Sequence, residues 1–553
     1  MPVPPRRIRF PFSSLRDAIV IVALAAAAAL ILHVLVPYNM DEFIAMRLIG
    51  FWQFPANMWE VSRSWYRLNI FGTGLHLPMM IYDYIGSPRS FLYYPLYLLW
   101  PSPASARFLG ILSLGLQAAV IRKLYRIPVL PVFAGLCLFF PYFFAHAVDA
   151  GPIIFGTTGV FLLLLLFRRW LETRKQRFAV LASLVVFLGL WEKMTFLWLL
   201  PGIACLFLVE AWEAGVFSSG ASLRRLLAAT ILPLAVLALL LSVLFLSPAS
   251  DKPGFYPYWD QMMQAEFRSI ASLLKNGFTL DIIRAFFNPL RATVKVYAFG
   301  NFPLADLPYD ALLFLWAPAC MVWLFLRFPG HRRHLVRSVV YFAAFVLTAF
   351  IIIRTKRAVF VHHAVLSYPF LILSVLSTAA AARAMYGGMW TELVTWPAAA
   401  FLILNLFYFA VFPTQPMRSP TQGRYNNTVT PTDTIFSVTD DRQLAPQAIY
   451  AVVDWGMFFY KFLYGAEGQS VVSTSISGVV NYDVLRKLGR LHGREIAVIY
   501  SRNRHGKDFL ATAASHGYRR CGQVGEDEPW QLLVRSDGIF SGVCFSQRDP
   551  ALD

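Results

Sequence analysis

Charge is scarce in this sequence. Asp, Glu, Lys and Arg make up 14% of the 553 residues, against 57% hydrophobic residues, and the mean hydropathy is +0.54. A soluble chain of this length needs more charged surface, so a soluble globular protein is excluded. Cysteine is scarcer still, at five residues, three of them inside apolar runs. No CxxC and no Cys/His cluster occurs, and the metal sites built on such patterns are excluded. There is no GxGxxG, no Walker pattern and no internal repeat, so no nucleotide site is assigned. Acid is the rarer sign, 31 residues against 49 basic ones, for a net charge of +18. In a soluble chain that excess would suggest nucleic acid. Here the basic residues sit between apolar runs, where they set orientation in a membrane, and no nucleic-acid partner is expected.

What the sequence has in plenty is apolar runs that match a hydrocarbon core of roughly 30 Å. They do not alternate, which excludes a transmembrane barrel. The first covers about 17–36, after the basic stretch "PPRRIRFPFSSLR". Its length favours an uncleaved span over a signal peptide. Later spans are expected near 104–121, 128–145, 152–167, 178–191, 195–212, 226–246, 309–326, 338–353, 360–380 and 391–412, eleven in all. With a cytoplasmic N-terminus, the basic stretches 121–126, 168–177, 224–225, 327–337 and Arg383 all fall inside, as the positive-inside rule requires. The expected location is the cell inner membrane, multi-pass, with residue 41, the loop 247–308, the loop 354–363 and the tail on the periplasmic side.

Residues 38–103 are rich in Trp, Tyr and Pro, which predicts two or three helices lying at the membrane surface. "SFLYYPLYLLW" (90–100) is apolar but too short to span. The tail from about 413 is soluble in character. Strands are expected within 448–459, 495–502, 517–524 and 530–536, with helical stretches at about 455–464, 480–491 and 506–516. That alternation predicts a small α/β domain with partly parallel strands. Cys521 and Cys544 stand there, and an extracytoplasmic tail would allow one disulfide. The tripeptide "NNT" at 426–428 carries no weight. The expected organisation is a helical membrane domain over 1–412 and a soluble periplasmic domain over 413–553.

One membrane face collects ionisable groups. Asp41 and Glu42 follow the first span in "VPYNMDEFIAMRLIG". His146 and Asp149 lie in "FFAHAVDAG", and Glu192 and Lys193 in "GLWEKMTF". Each has a bland reading: flanking charges, a helix cap before Gly151 and Pro152, an ion pair inside a hairpin. The cluster Arg354, Lys356, Arg357, His362 and His363 breaks the rule that explains the other basic loops. A basic patch at headgroup level suits a phosphate; snorkelling side chains and a metal are its alternatives. Adjacent histidines point to different faces of a helix, which disfavours joint chelation. A carboxylate can take a proton from an acceptor hydroxyl or amine. Fixed cations can stabilise charge growing on a leaving phosphate. Together they point to group transfer from a lipid-linked phosphosugar. A transporter or flippase would instead need polar groups at mid-membrane, and a non-catalytic scaffold predicts no role for the carboxylates.

The order of these features resembles the GT-C superfamily, in the branch of protein O-mannosyltransferases and the lipid A aminoarabinose transferase. The resemblance rests on the Asp-Glu after the first span and the aromatic segment, then on "SPRSFLYYPLYLLWPSPASARFLGILSLGLQAAVIRKLYR", "AHAVDAG", "LGLWEKMTFLWLLP" and "RAVFVHHAVLSYPFLIL". It covers about residues 15–380. It implies an inverting membrane glycosyltransferase, family 39-like, that uses a polyprenyl-phosphate sugar at the periplasmic face. By resemblance Asp41 is the catalytic carboxylate, with Glu42 its neighbour and Asp149 the second acid. Lys193 matches the hairpin lysine. Arg354, Lys356 and Arg357 suit the lipid phosphate with His362 and His363, and Arg89 of "SPRS" is a further phosphate candidate. No cofactor is implied, with a divalent metal left open, and the acceptor is a glycan, a lipid or a protein.

Overall fold

The structure is a computed structural model. It describes residues 15–35, 67–69, 76–78, 80–82, 85–102, 104–138, 146–148, 151–246, 309–327, 332–354, 365–386, 448–453, 470–473, 482–501, 507–524, 530–539 and 541. They divide into two compact units, one formed from within 1–30, 83–89 and 107–419, the other from within 31–82, 90–106 and 420–553.

The first unit is helical. Its main elements are α1 (Leu15–Leu35), α3 (Ala104–Tyr125), α4 (Val129–Leu138), α5 (Pro152–Thr173), α6 (Gln176–Glu192), α7 (Leu200–Glu213), α8 (Gly220–Leu246), α9 (Tyr309–Arg327), α10 (Arg332–Arg354) and α11 (Tyr368–Tyr386). Before α3 comes α2 (Pro88–Leu99), whose first two residues belong to this unit. Six helical stretches among the described residues are long and apolar enough to cross a bilayer: Ala104–Tyr125, Pro152–Thr173, Met194–Glu213, Gly220–Ser242, Leu335–Ile352 and Val365–Arg383. The expected polytopic helical class is therefore observed; the span expected at 391–412 lies outside the described residues.

Helix ends follow local chemistry. Pro152 starts α5 just after Gly151, where a missing N–H costs nothing. Arg174, left-handed at φ 57°, ends it and donates its N–H to the Trp170 carbonyl at 2.7 Å. Only Arg174 and Lys175 separate α5 from α6, so the two pack as an antiparallel hairpin. Within the hydrocarbon depth, polar side chains find partners on neighbouring helices. Gln117 on α3 donates to Thr157 and Thr158 on α5 at 3.2 and 2.9 Å. Ser183 on α6 donates to the Pro233 carbonyl on α8 at 2.8 Å.

In the second unit the short strands β1 (Arg67–Asn69) and β2 (His76–Pro78) pair antiparallel. The rest of α2, too short to span, buries Tyr93 and Tyr97 and exposes Leu92, Leu98 and Leu99. α2 is thus amphipathic, with aromatic side chains on its buried face. The tail forms a five-stranded sheet in the order β6-β5-β7-β9-β8, from β5 (Ala448–Val453), β6 (Ser470–Ser473), β7 (Glu495–Ser501), β8 (Tyr518–Val524) and β9 (Trp530–Arg535). β5 runs parallel to β6 and β7, and β9 antiparallel to β7 and β8. The parallel crossover into β7 carries α12 (Tyr482–His492), which buries Tyr482 and Leu485 and exposes Arg486 and Arg490. Gly493 at φ +61° ends it, and the Arg494 N–H closes on the Gly489 carbonyl at 3.0 Å. α13 (Lys507–Ser515) adds Ala513 to a core with Ile496, Val498, Tyr500, Tyr518 and Leu533. Cys521 is disulfide-bonded, whereas Cys137, Cys205 and Cys320 are free. Cys544 and the helical stretch expected at 455–464 lie outside the described residues.

Burial pushes the Tyr518 hydroxyl from 10 up to about 12. The folded domain therefore holds this proton where the unfolded chain has lost it. The stabilisation is complete below pH 10 and is lost as pH rises toward 12. Tyr518→Phe should flatten the fall in the domain's unfolding midpoint across that interval, measured by near-ultraviolet circular dichroism. An unchanged slope would remove Tyr518 from the transition.

Candidate functional site

A charged residue inside an apolar bundle is costly unless paired. Two described places in the helical unit meet that demand, and they lie at opposite ends of the α5–α6 hairpin. With 17 residues in α6, the ends are about 25 Å apart at 1.5 Å per residue. Between them α6 carries no charged residue beyond Arg177 near its start.

The first end is built by "GSPRS" against "WEK". Gly86 of β4 (Ile85–Gly86) packs so closely on α6 that a Cβ there would sit 1.7 Å from the Trp191 carbonyl oxygen and 2.6 Å from its indole. Only glycine allows that approach. Pro88 then opens α2, placing Arg89 second in the helix with its N–H among those lacking an intrahelical partner. Glu192, the last residue of α6, supplies that partner from 103 residues away, accepting the Arg89 N–H on Oε2 at 2.9 Å. Its Oε1 lies 3.2 Å from Arg89 Nε. Both side chains are buried, Arg89 at 0% exposure and Glu192 at 6%. Lys193, also buried, takes an extended conformation (φ −156°, ψ 130°) that ends α6 and starts the 3-10 turn Met194–Leu199. Its N–H still bonds to the Gly189 carbonyl at 3.1 Å. Arg89 and Glu192 thus pair at the end of α6, and the buried Lys193 is the next residue in the chain.

The opposite end joins five helices. Arg168 on α5 grips Glu210 on α7 with two bonds, Nε to Oε2 and Nη2 to Oε1, each 2.9 Å. Arg337 on α10 approaches Glu210 Oε1 at 3.1 Å and also pairs with Glu213. Tyr341 donates to Glu210 as well. Arg168 lies over the Tyr125 ring of α3 at 5.7 Å, and the Tyr125 hydroxyl bonds with Ser377 on α11 at 2.8 Å. Two arginines on two glutamates form a network that ties these helices together.

Of the residues singled out in the sequence, Arg89 and Lys193 lie at the first end with Glu192, whose direct partner is Arg89. Arg354 is the last residue of α10. His146 is buried. Asp41, Glu42, Asp149, Lys356, Arg357, His362 and His363 lie outside the described residues. Among the described residues, no three His, Cys, Asp or Glu side chains converge as metal ligands would. Sequence reasoning missed the Arg168–Glu210–Arg337 network and the fully buried Arg107. Glu210 could have been found, because an acid inside the apolar run "CLFLVEAW" needs a partner.

No protein-family profile matches the chain, and no curated protein matches it. Among solved structures it is similar to the crystal structure of ArnT from Cupriavidus metallidurans in the apo state. The identity is 12%, with 94% of this chain and 98% of that chain covered, at a TM-score of 0.36. It is similar also to the same protein bound to undecaprenyl phosphate, at 12% identity, the same coverage and a TM-score of 0.35.

Two substitutions test the two ends separately. Gly86→Ala should cost about 1–3 kcal/mol through the forced clash with Trp191. Glu210→Ala should cost about 3–5 kcal/mol, because Arg168 and Arg337 lose their shared buried counter-charge. Unfolding of the detergent-solubilised protein measures both, and losses under 0.5 kcal/mol would contradict the packing at either end.

Proposed function

We propose that this chain is an integral membrane glycosyltransferase. It moves a sugar from a polyprenyl-phosphate donor to an acceptor at the periplasmic face of the inner membrane. The observation that carries this reading is the buried Arg89–Glu192 pair at one end of the apolar hairpin, with the buried cation Lys193 next in the chain. A membrane chain concentrates cations at such depth where an anionic group must be held. A phosphate whose lipid tail lies in the bilayer reaches that depth without leaving it. The opposite end has its arginines matched by glutamates and offers no comparable role. Within α6 no charged residue lies between Arg177 and Glu192, which favours this reading over a transporter, which needs ionisable groups at the midplane.

The mechanism is a single displacement at the anomeric carbon. Asp41 orients the acceptor hydroxyl or amine and takes its proton. The acceptor's lone pair forms the new bond to the anomeric carbon while the bond from that carbon to the phosphate oxygen breaks. The electron pair leaves with polyprenyl phosphate, and the anomeric configuration inverts. Arg89, Lys193, Arg354, Lys356 and Arg357, with His362 and His363 beside them, stabilise the charge on the departing phosphate. Glu42 and Asp149 shape the acid side of the site. The disulfide at Cys521 supports a tail in an oxidising compartment outside the cytoplasm.

Release of polyprenyl phosphate from a radiolabelled polyprenyl-phosphate sugar, in the presence of an envelope extract as acceptor, tests the reading. Asp41→Asn should lower turnover by about 10²-fold or more with donor binding retained. Replacing Arg354 and Arg357 by Ala should weaken donor binding about 10-fold or more. Full turnover in Asp41→Asn would remove Asp41 from the base's role, and no release by the unaltered protein would overturn the reading.

A further inference from the structure

We propose that Glu192 is a positioning residue for the donor phosphate: it fixes where Arg89 presents its positive charge. This rests on the transferase reading above and goes beyond it, because that reading gives Glu192 no part.

The geometry treats main chain and side chain of Arg89 together. One carboxylate oxygen accepts the Arg89 N–H at 2.9 Å, and the other faces Nε at 3.2 Å. The first contact seats the start of α2; the second sets the direction of the guanidinium. Glu192 Oε1 approaches the guanidinium at Nε as an ion-pair contact beside the main-chain hydrogen bond. One residue earlier, Trp191 receives the bare backbone of Gly86. Residues 86–89 are thus keyed onto residues 191–192 at two consecutive positions, and neither segment can shift without the other. Lys193 follows at once, so the same helix end that orients Arg89 also launches the second cation.

Docking alone does not require a charge. A buried ion pair contributes little net stability compared with well-packed apolar groups of the same size. What a carboxylate adds is a defined place and orientation for a guanidinium. A phosphate recognised by that guanidinium depends on both.

Simple electrostatics and positioning predict opposite signs. If Glu192 acted only as a nearby negative charge, removing it would tighten phosphate binding. If it positions Arg89, removing it weakens phosphate binding although repulsion has been relieved. The test uses the full-length protein in detergent, with a long-chain polyprenyl phosphate and the matching polyprenol as probes, and reads the ratio of their affinities. A general loss of packing lowers both affinities and leaves that ratio unchanged. Glu192→Ala should lower the ratio about 10-fold. Glu192→Gln, which keeps an acceptor for the Arg89 N–H, should lower it less. Arg89→Ala should lower it as well, and adding Glu192→Ala to that variant should change nothing further. Should Glu192→Ala misfold, Glu192→Gln with the double variant still decides the question.

A ratio unchanged or raised in both Glu192 variants, with Arg89→Ala still lowering it, would overturn the positioning role and leave the phosphate reading standing. A ratio near one in the unaltered protein would overturn the phosphate reading and the positioning role with it.

Discussion

In a chain this apolar, a buried charge must meet its opposite or remain unstable, and the pairing of Arg89 with Glu192 follows from that rule. The pair spans 103 residues and is fully sheltered. It joins the end of α6 to the start of α2. The close approach of Gly86 to Trp191 is the steric half of the same junction. Without a glycine at 86, the backbone could not come near enough for Glu192 to reach the Arg89 N–H.

The two ends of the helical unit solve the same physical problem differently. At the Arg168 end, two guanidinium groups, two carboxylates and two tyrosines tie α3, α5, α7, α10 and α11 together. At the Arg89 end, three charged residues gather where two helices terminate and a 3-10 turn begins. A helix terminus leaves backbone groups without intrahelical partners and side chains able to turn toward an incoming group. The first arrangement holds a scaffold, and the second is where we propose that the donor phosphate is met. The apolar stretch between them, with hydrogen bonds among Gln117, Thr157 and Thr158 as its polar interior contacts, keeps the two separate.

Much of this could be read in the sequence where the signal is local. Apolar runs predict the helices, and the short run at 178–191 is found as α6, one residue longer at its end and ending on Glu192 itself. The alternating tail predicts a partly parallel sheet, which is observed; β6 was missed because "SVVS" is too short to show a period. Lys193 was legible as a cation at a span end, and Arg89 as a phosphate candidate through the family resemblance. The contact of Arg89 with Glu192 was not, because a contact across 103 residues leaves no trace in spacing. Adjacency suggested that Glu192 pairs with Lys193 inside the hairpin. The helix ends at Lys193, and the Glu192 carboxylate pairs with Arg89 at the start of α2. Arg168 and Arg337 were read as ordinary basic-loop residues, since the rule that orients spans says nothing about which loop charges fold inward.

The central claim is that Arg89 and Glu192 are coupled in the folded protein. A double-mutant cycle on unfolding free energy measures this most directly, using Arg89→Met, Glu192→Gln and the pair together in detergent-solubilised protein. Coupling predicts that the double variant loses less than the sum of the single losses, with an interaction energy of about 1–3 kcal/mol. Additivity within about 0.5 kcal/mol would contradict it, because residues that share no interaction lose their contributions independently.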